Sequence, residues 1–274
     1  MDMYQNNSSS IQKPLTDVRR AVIKVGTSTL THATGMLNIR KIEKLVNVIS
    51  DLVNSGKEII LVSSGAVSAG FAKLGEPGLN RTLEEKQAAA AVGQCELMNM
   101  YERQFSMYGH TVAQILITKD VIESEVRYTN ASNTFRSLIQ KRCIPIVNEN
   151  DCVSFEGIKF GGNDTLSAYV AILSGAGLII NMSDIDGLYD KNPSKYDDAK
   201  LISTVDVIDE RIKSYAGGAG SARGTGGMIA KIEAAEIAAS KGIPMVIING
   251  TRPEILYDVF ENGFVGTLFK AGRA

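Results

Sequence analysis

The sequence predicts a three-layer α/β/α sandwich around a central, mostly parallel sheet. Two observations carry this. Short apolar, β-branched segments recur at residues 21–25, 58–63, 112–118, 144–148, 178–183 and 244–248, each nearly uninterrupted, as strands covered on both faces are. Between them the apolar residues switch to helical spacing. Such alternation packs as a parallel sheet with right-handed crossovers and helices on both faces.

The elements follow in order. After the first strand, Ile39, Ile42, Val46, Ile49 and Val53 trace one helical face, with Asn38 placed to cap its start. Residues 83–108 form a long alanine-rich helical segment, and residues 130–141 another. Leu166, Tyr169, Val170 and Leu173 share a face of a helix beginning at Asn163-Asp164, and Met228, Ile232, Ala235 and Ala239 do so after Gly227. Residues 27–38 and 153–160 read as hairpin insertions at strand ends. No internal repeat or long low-complexity linker interrupts the pattern.

Bulk properties narrow the function. A formal net charge of −1 gives no reason to expect a nucleic acid or a membrane surface as partner. An aromatic share of 6% without tryptophan argues against a base-stacking platform. Cys95, Cys143 and Cys152 show no CxxC spacing and form an odd set, as expected of reduced thiols in a cytoplasmic protein. No apolar run approaches the ~20 residues a membrane span needs. The polar, Ser/Asn-rich start suggests a disordered tail over residues 1–17, leaving 18–274 as one domain.

Chemistry concentrates in IPIVNENDCVSFEGIKFGGNDTLSA, residues 144–168. A strand runs into Asn148, Glu149, Asn150 and Asp151, and Gly161-Gly162 then deliver Asn163 and Asp164 to a helix start. In open α/β sheets ligands bind beyond the carboxyl ends of strands, so this cluster suggests a small polar ligand carrying an ammonium group. Turn chemistry and a helix cap at Asn163 or Asp164 account for part of it. Lys24 stands inside an apolar strand, ahead of Gly26, Thr27 and Ser28. A lysine there is costly unless paired or snorkelling; beside a glycine turn it suits a phosphate.

Three further segments fit an anion. VSSGAVSAG, residues 62–70, takes a strand through Ser63, Ser64 and Gly65 into a helix N-terminus, although serine capping would explain it equally. GGAGSARGTGGMIAK, residues 217–231, is a glycine-rich approach to a helix with Lys231 in its first turn. It is neither a P-loop nor GxGxxG. In NMSDIDGLYDKNP, residues 181–193, Ser183, Asp184 and Asp186 could meet ribose, base or hydrated metal, or simply form turns. His32 and His110, the only histidines, flank none of these segments in sequence. Phosphorylating a carboxylate would need no histidine base, because the acceptor (pKa ~4) is already ionised at neutral pH. Catalysis would then rest on positioning and cations.

With these motifs the chain resembles the amino acid kinase family, in particular the branch that phosphorylates the γ-carboxylate of glutamate at the first step of proline synthesis. The likeness spans about residues 19–269 and includes VIKVGTSTL, VSSGAVSAG, KQAAAAVGQ, PIVNENDCV, NDTLSA, SDIDGLYDKNP and GTGGMIAK. It implies the amino acid kinase fold, with residues 18–176 mainly for glutamate and 177–274 mainly for the nucleotide. By the same resemblance Lys24 and Lys231 stabilise the moving phosphoryl group while Asp164 orients them. Ser64, Asp151, Asn163 and Asn148 hold L-glutamate, Asp151 at its ammonium. ATP is contacted by Lys24, Gly26, Thr27, Ser183, Asp184, Thr225, Gly226, Gly227, Met228, Ile229, Ala230 and Lys231. Mg²⁺ is carried through the nucleotide phosphates, without direct protein ligands. Feedback by proline, hand-over to glutamyl phosphate reductase and a homo-oligomer are also implied.

The chain departs from the family pattern in places. Gly162 stands where many relatives carry the aspartate of GDND, Ser183 where threonine is usual, and Ala230 where a hydroxyl is common. It stops soon after GTLFK, which reads as the short form without a C-terminal PUA domain. The alternatives are a sister kinase acting on another carboxylate and a non-catalytic nucleotide or proline sensor.

Overall fold

The structure, a computed structural model, describes residues 11–76, 81–154, 160–216 and 227–272. In chain order come β1 (Ile11–Gln12), β2 (Arg20–Val25), α1 (Thr27–Leu30), α2 (Ile39–Asn54) and β3 (Glu58–Ser63). Next are α3 (Ala66–Leu74), α4 (Leu83–Ser106), β4 (Val112–Ile117), α5 (Asp120–Glu123), α6 (Glu125–Gln140) and β5 (Ile144–Glu149). The remainder comprises α7 (Asn163–Ser174), β6 (Leu178–Ser183), β7 (Thr204–Val205), α8 (Glu210–Tyr215), α9 (Met228–Ala239) and β8 (Met245–Asn249). The chain then runs through α10 (Ile255–Tyr257), a π-helical turn at Asp258–Asn262, β9 (Phe264–Val265) and β10 (Thr267–Phe269).

Eight strands form the main sheet in the order β4-β5-β3-β2-β6-β8-β10-β7. From β4 to β8 all pairs are parallel, and β10 runs antiparallel to β8. Each long predicted strand lies within a residue or two of its observed bounds. β1 and β9 form a separate antiparallel pair, Ile11 opposite Val265. Ile11 and Gln12 thus belong to a strand, although they fall in the segment expected to be a disordered tail; residues 1–10 lie outside the described residues.

Strand alternation sends successive side chains to opposite faces, and this decides where Lys24 points. Ala21, Ile23 and Val25 join the core beneath α2, α4 and the π turn, with Leu45, Ile49, Leu97 and Phe260. Val22 joins the other core, with Leu166 and Val170 of α7 and Ile232 and Ala235 of α9. Lys24 shares the parity of Val22, so it faces the α7–α9 layer. Asn181, its register partner on β6, shares the parity of Ile179 and faces the same way.

Helix starts are set by local chemistry. Asn38 Oδ1 accepts from the Lys41 N–H at 3.2 Å, as expected of its cap. Thr82 and Glu85 form a reciprocal capping box at α4. α6 starts at Glu125, ahead of residue 130, because Ser124 caps it there. The predicted hairpin over residues 27–38 is partly helical: α1 forms first, and a bridge between Thr31 and Leu37 closes the remainder. Part of the second predicted hairpin, residues 155–159, lies outside the described residues.

The path of the chain reverses beside β2. Its crossover leads to β3 on one side, whereas its other neighbour, β6, leads on towards β8. A crevice therefore opens beyond the carboxyl ends of these strands.

Candidate active site

That crevice is a cleft of about 1510 Å³, larger than the ~300–1,000 Å³ of a usual small-ligand pocket. It has room for a nucleotide and a small acid together. At its floor Lys24 Nζ lies 2.8 Å from Asp164 Oδ1, and Lys231 Nζ lies 3.4 Å from Asp164 Oδ2. The three residues are 6%, 7% and 2% exposed, in the order Lys24, Lys231, Asp164. Buried ammoniums are tolerated only with a paired charge, and one carboxylate serves both. Asn181 Nδ2 donates to Asp164 Oδ1 at 2.6 Å from β6.

Burial and neighbouring charge compete at Asp164 and at Lys24. Burial acts to push the Asp164 carboxyl up, but Lys24 and Lys231 outweigh it and, with hydrogen bonds from Lys24 and Asn181, hold it below the usual carboxylate range. For Lys24, burial pulls the ammonium below its ordinary range; Asp164 opposes this, Lys231 adds repulsion, and Asp184 attracts more weakly.

One side of the cleft is built from the ends of β3 and β5 and the start of α7. Asn163 Nδ2 donates to the Ser63 carbonyl, to Ser64 Oγ and to Asn148 Oδ1, each at 2.9 Å. Neither Asn163 nor Asp164 caps α7; the cap position is Gly162, at φ 125°, without a side-chain bond. That conformation, open to glycine, turns both side chains into the cleft, so the capping explanation of these residues falls. The serine-capping explanation of residues 63–64 falls too: α3 is entered through Gly65 at φ 101° with no side-chain cap. Ser63 Oγ instead meets Tyr101 Oη at 2.9 Å. Burial pushes that phenol well up. Asp151 lines the cleft with Ser64, Asn148 and Asn163. Glu149 turns back: its Oε1 accepts from Ser154 Oγ at 2.8 Å and from the Phe160 N–H at 3.3 Å.

Gly26, Thr27, Ser183, Asp184, Gly227 and Met228 also line the cleft. Ser183 Oγ donates to Asp184 Oδ1 at 3.3 Å. Asp186 is engaged structurally, accepting from Tyr189 and Asn249; burial first, and Asp186 second, push the Tyr189 phenol up to about 12. Ile229 is exposed, and neither it nor Ala230 lines the cleft. Thr225 and Gly226 lie outside the described residues. His32, which flanks no motif in the sequence, does line the cleft, because the turn after β2 folds back over it. Among the described residues no three His, Cys, Asp or Glu side chains converge as metal ligands.

A profile of the amino acid kinase family matches residues 19–249. The chain belongs to the amino acid kinase family. It is 50% identical over 267 residues to a glutamate 5-kinase of Clostridium perfringens, covering 96% of this chain and 99% of that protein. It is 54% identical over 258 residues to the glutamate 5-kinase of Clostridium acetobutylicum, covering 94% and 97%. The similarity to the glutamate 5-kinase of Listeria innocua is 47% over 267 residues, covering 96% and 97%. Solved structures share the fold: an isopentenyl phosphate kinase substrate complex superposes with a TM-score of 0.65 at 20% identity, covering 92% of this chain and 100% of that one. UMP kinase from Ureaplasma parvum does so at 0.65 and 16%, covering 92% and 99%. The likeness to these two shows the common amino acid kinase architecture, whereas the glutamate 5-kinases are related along nearly the whole sequence.

Two contributors escaped the sequence reading. Asn181 was visible as a polar residue in an apolar strand, but its partner was not. Gln94 stands in the alanine-rich α4 and is understood only through its tertiary contacts.

Proposed function

We propose that the chain transfers the γ-phosphoryl group of ATP to the γ-carboxylate of L-glutamate, giving L-glutamyl 5-phosphate at the first step of proline biosynthesis. The observation that carries this is the shared carboxylate: Lys24 and Lys231 converge on Asp164 at the floor of a cleft that continues to Asp151. Incoming phosphate oxygens would take over part of each ammonium's attention from Asp164, which keeps the two lysines in place. The glutamate γ-carboxylate oxygen then attacks phosphorus as ADP departs, and both ammoniums meet the charge on the transferring oxygens. Asp151 suits the substrate ammonium, and Ser64, Asn148 and Asn163 suit its polar backbone.

Gly26, Thr27, Ser183, Asp184 and the start of α9 are assigned to ATP. Mg²⁺ would be carried by the nucleotide phosphates and would neutralise part of their charge. Residues 18–176 would serve mainly glutamate and 177–274 mainly the nucleotide. Among the described residues no helix is long and apolar enough to cross a membrane, and the described cysteines are free thiols. A cytoplasmic setting is part of the same proposal. Proline inhibition, a homo-oligomer and hand-over of the acyl phosphate to glutamyl phosphate reductase belong to the same proposal.

The test is ADP release across a panel of acids, with hydroxylamine present to trap an acyl phosphate. Glutamate-dependent hydroxamate is expected. Its absence at every glutamate concentration, or a preference for another acid, would remove the assignment.

A further inference from the structure

The segment KQAAAAVGQ has no part in the chemistry described so far. It ends at Gln94, buried in α4. Gln94 Oε1 accepts from Asn148 Nδ2 at 3.0 Å, and Gln94 Nε2 donates to Gln114 Oε1 at 3.3 Å. Asn148 Oδ1 accepts from the backbone N–H of Glu149 and from Asn163 Nδ2, both at 2.9 Å.

An isolated carboxamide has two senses of nearly equal shape. Here two backbone atoms remove the choice. An N–H can only donate, so Asn148 must offer its oxygen to Glu149; a carbonyl can only accept, so Asn163 must offer its nitrogen to Ser63. Asn148 Nδ2 then needs an acceptor, and Gln94 supplies it. Asn163 has its nitrogen committed to protein acceptors, so its oxygen is the atom left for a ligand. An oxygen suits an ammonium group, as a nitrogen would not. The backbone beneath Gln94 is held closely, because a Cβ on neighbouring Gly93 would lie 1.8 Å from the Ala66 carbonyl oxygen.

We propose that Gln94 is a positioning residue for the amino-acid pocket: by accepting from Asn148 Nδ2 it holds in place the Asn148 oxygen on which the Asn163 carboxamide rests. This rests on the reading of the cleft as a glutamate site. Neither Gln94 nor Gln114 lines the cleft, so both act at one remove.

The experiment is steady-state kinetics with melting curves on paired variants. Gln94→Met keeps the length but loses the acceptor; it is expected to raise KM for glutamate roughly tenfold while leaving KM for ATP within about twofold. Gln94→Glu keeps an acceptor, so the parental KM for glutamate is expected, with a lower melting point because the added carboxylate is buried. At exposed Gln114, Gln114→Lys presents a donor, so Gln94 turns its oxygen outward and its nitrogen against Asn148. The same shift in KM is expected, at about threefold, and none for Gln114→Glu. If Gln94→Met does not fold, the Gln114 pair decides.

A folded Gln94→Met with parental KM for glutamate would overturn the proposal. So would equal losses for both substrates, or a Gln94→Glu as impaired as Gln94→Met, since a purely packing role predicts those. A parent enzyme forming no glutamate-dependent hydroxamate would overturn the pocket assignment and this proposal with it. An active parent with indifferent variants overturns the amide chain alone.

Discussion

Lys24 and Lys231 hold opposite oxygens of Asp164, at 2.8 Å and 3.4 Å, although one stands in β2 and the other in the first turn of α9. Each ammonium is thus oriented before any substrate arrives. Removing either should cost the enzyme a preorganised electrostatic partner. Lys24→Met and Lys231→Met are each expected to lower kcat by ~10²-fold or more. Rapid-quench or coupled assays on folded variants check this; full kcat in either would exclude its assigned role.

Asp151 lies in the cleft with Ser64, Asn148 and Asn163. Asp151→Asn removes the charge while keeping the shape. KM for glutamate is expected to rise by about 10- to 100-fold, the scale of one charge-assisted hydrogen bond, with KM for ATP little changed. An unchanged glutamate KM would contradict its contact with the ammonium.

The pH behaviour follows from the signs of the shifts. Asp164 is held below the usual carboxylate range, so the stability it contributes is present above the unfolded value of ~3.9 and lost only as pH falls through the lower folded value. No loss of kcat attributable to Asp164 is expected between about pH 5 and 8. Lys24 is lowered chiefly by burial, so the folded protein releases that proton before the unfolded chain does, and stability from this group rises with pH in the window between them. Bound phosphates favour the charged lysine and move its pKa back up. The alkaline fall in kcat/KM for ATP should therefore lie at lower pH than the fall in kcat. Coincident limbs would argue against Lys24 as a phosphate ligand.

Gly162 sits at φ 125°, ψ 169°, and a Cβ placed there would find no other atom within 4 Å. A side chain meets no clash, only backbone strain. Gly162→Ala and Gly162→Asp should each cost about 1–3 kcal/mol in denaturant melts. A glutamate KM altered by aspartate but not by alanine would assign an effect to the added carboxylate; two variants as stable as the parent would refute the strain.

Much of this was readable in the sequence because the decisive residues break local patterns. Lys24 interrupts an apolar strand, and the runs that form β2, β3, β5 and β6 are long enough to show their burial. β1, β7, β9 and β10 span two or three residues, too few for any period to register. α1 escaped because its TSTL sequence is rich in β-branched threonine, which favours extended backbone. Asn163 and Asp164 resemble caps by type and position; only the backbone at Gly162 shows them turned elsewhere. Gln94 and Asn181 gain meaning from partners distant in the chain, beyond the reach of spacing. The glycine-rich approach over residues 217–226 lies outside the described residues.

The contact between α3 and α4 has a mechanical consequence. A methyl group on Gly70 would sit 1.8 Å from the Ala89 carbonyl oxygen, as one on Gly93 would from that of Ala66, so the two helices touch main chain to main chain. They can neither slide nor separate without breaking that seam. The side of the cleft carried by these two rods is therefore a stiff wall.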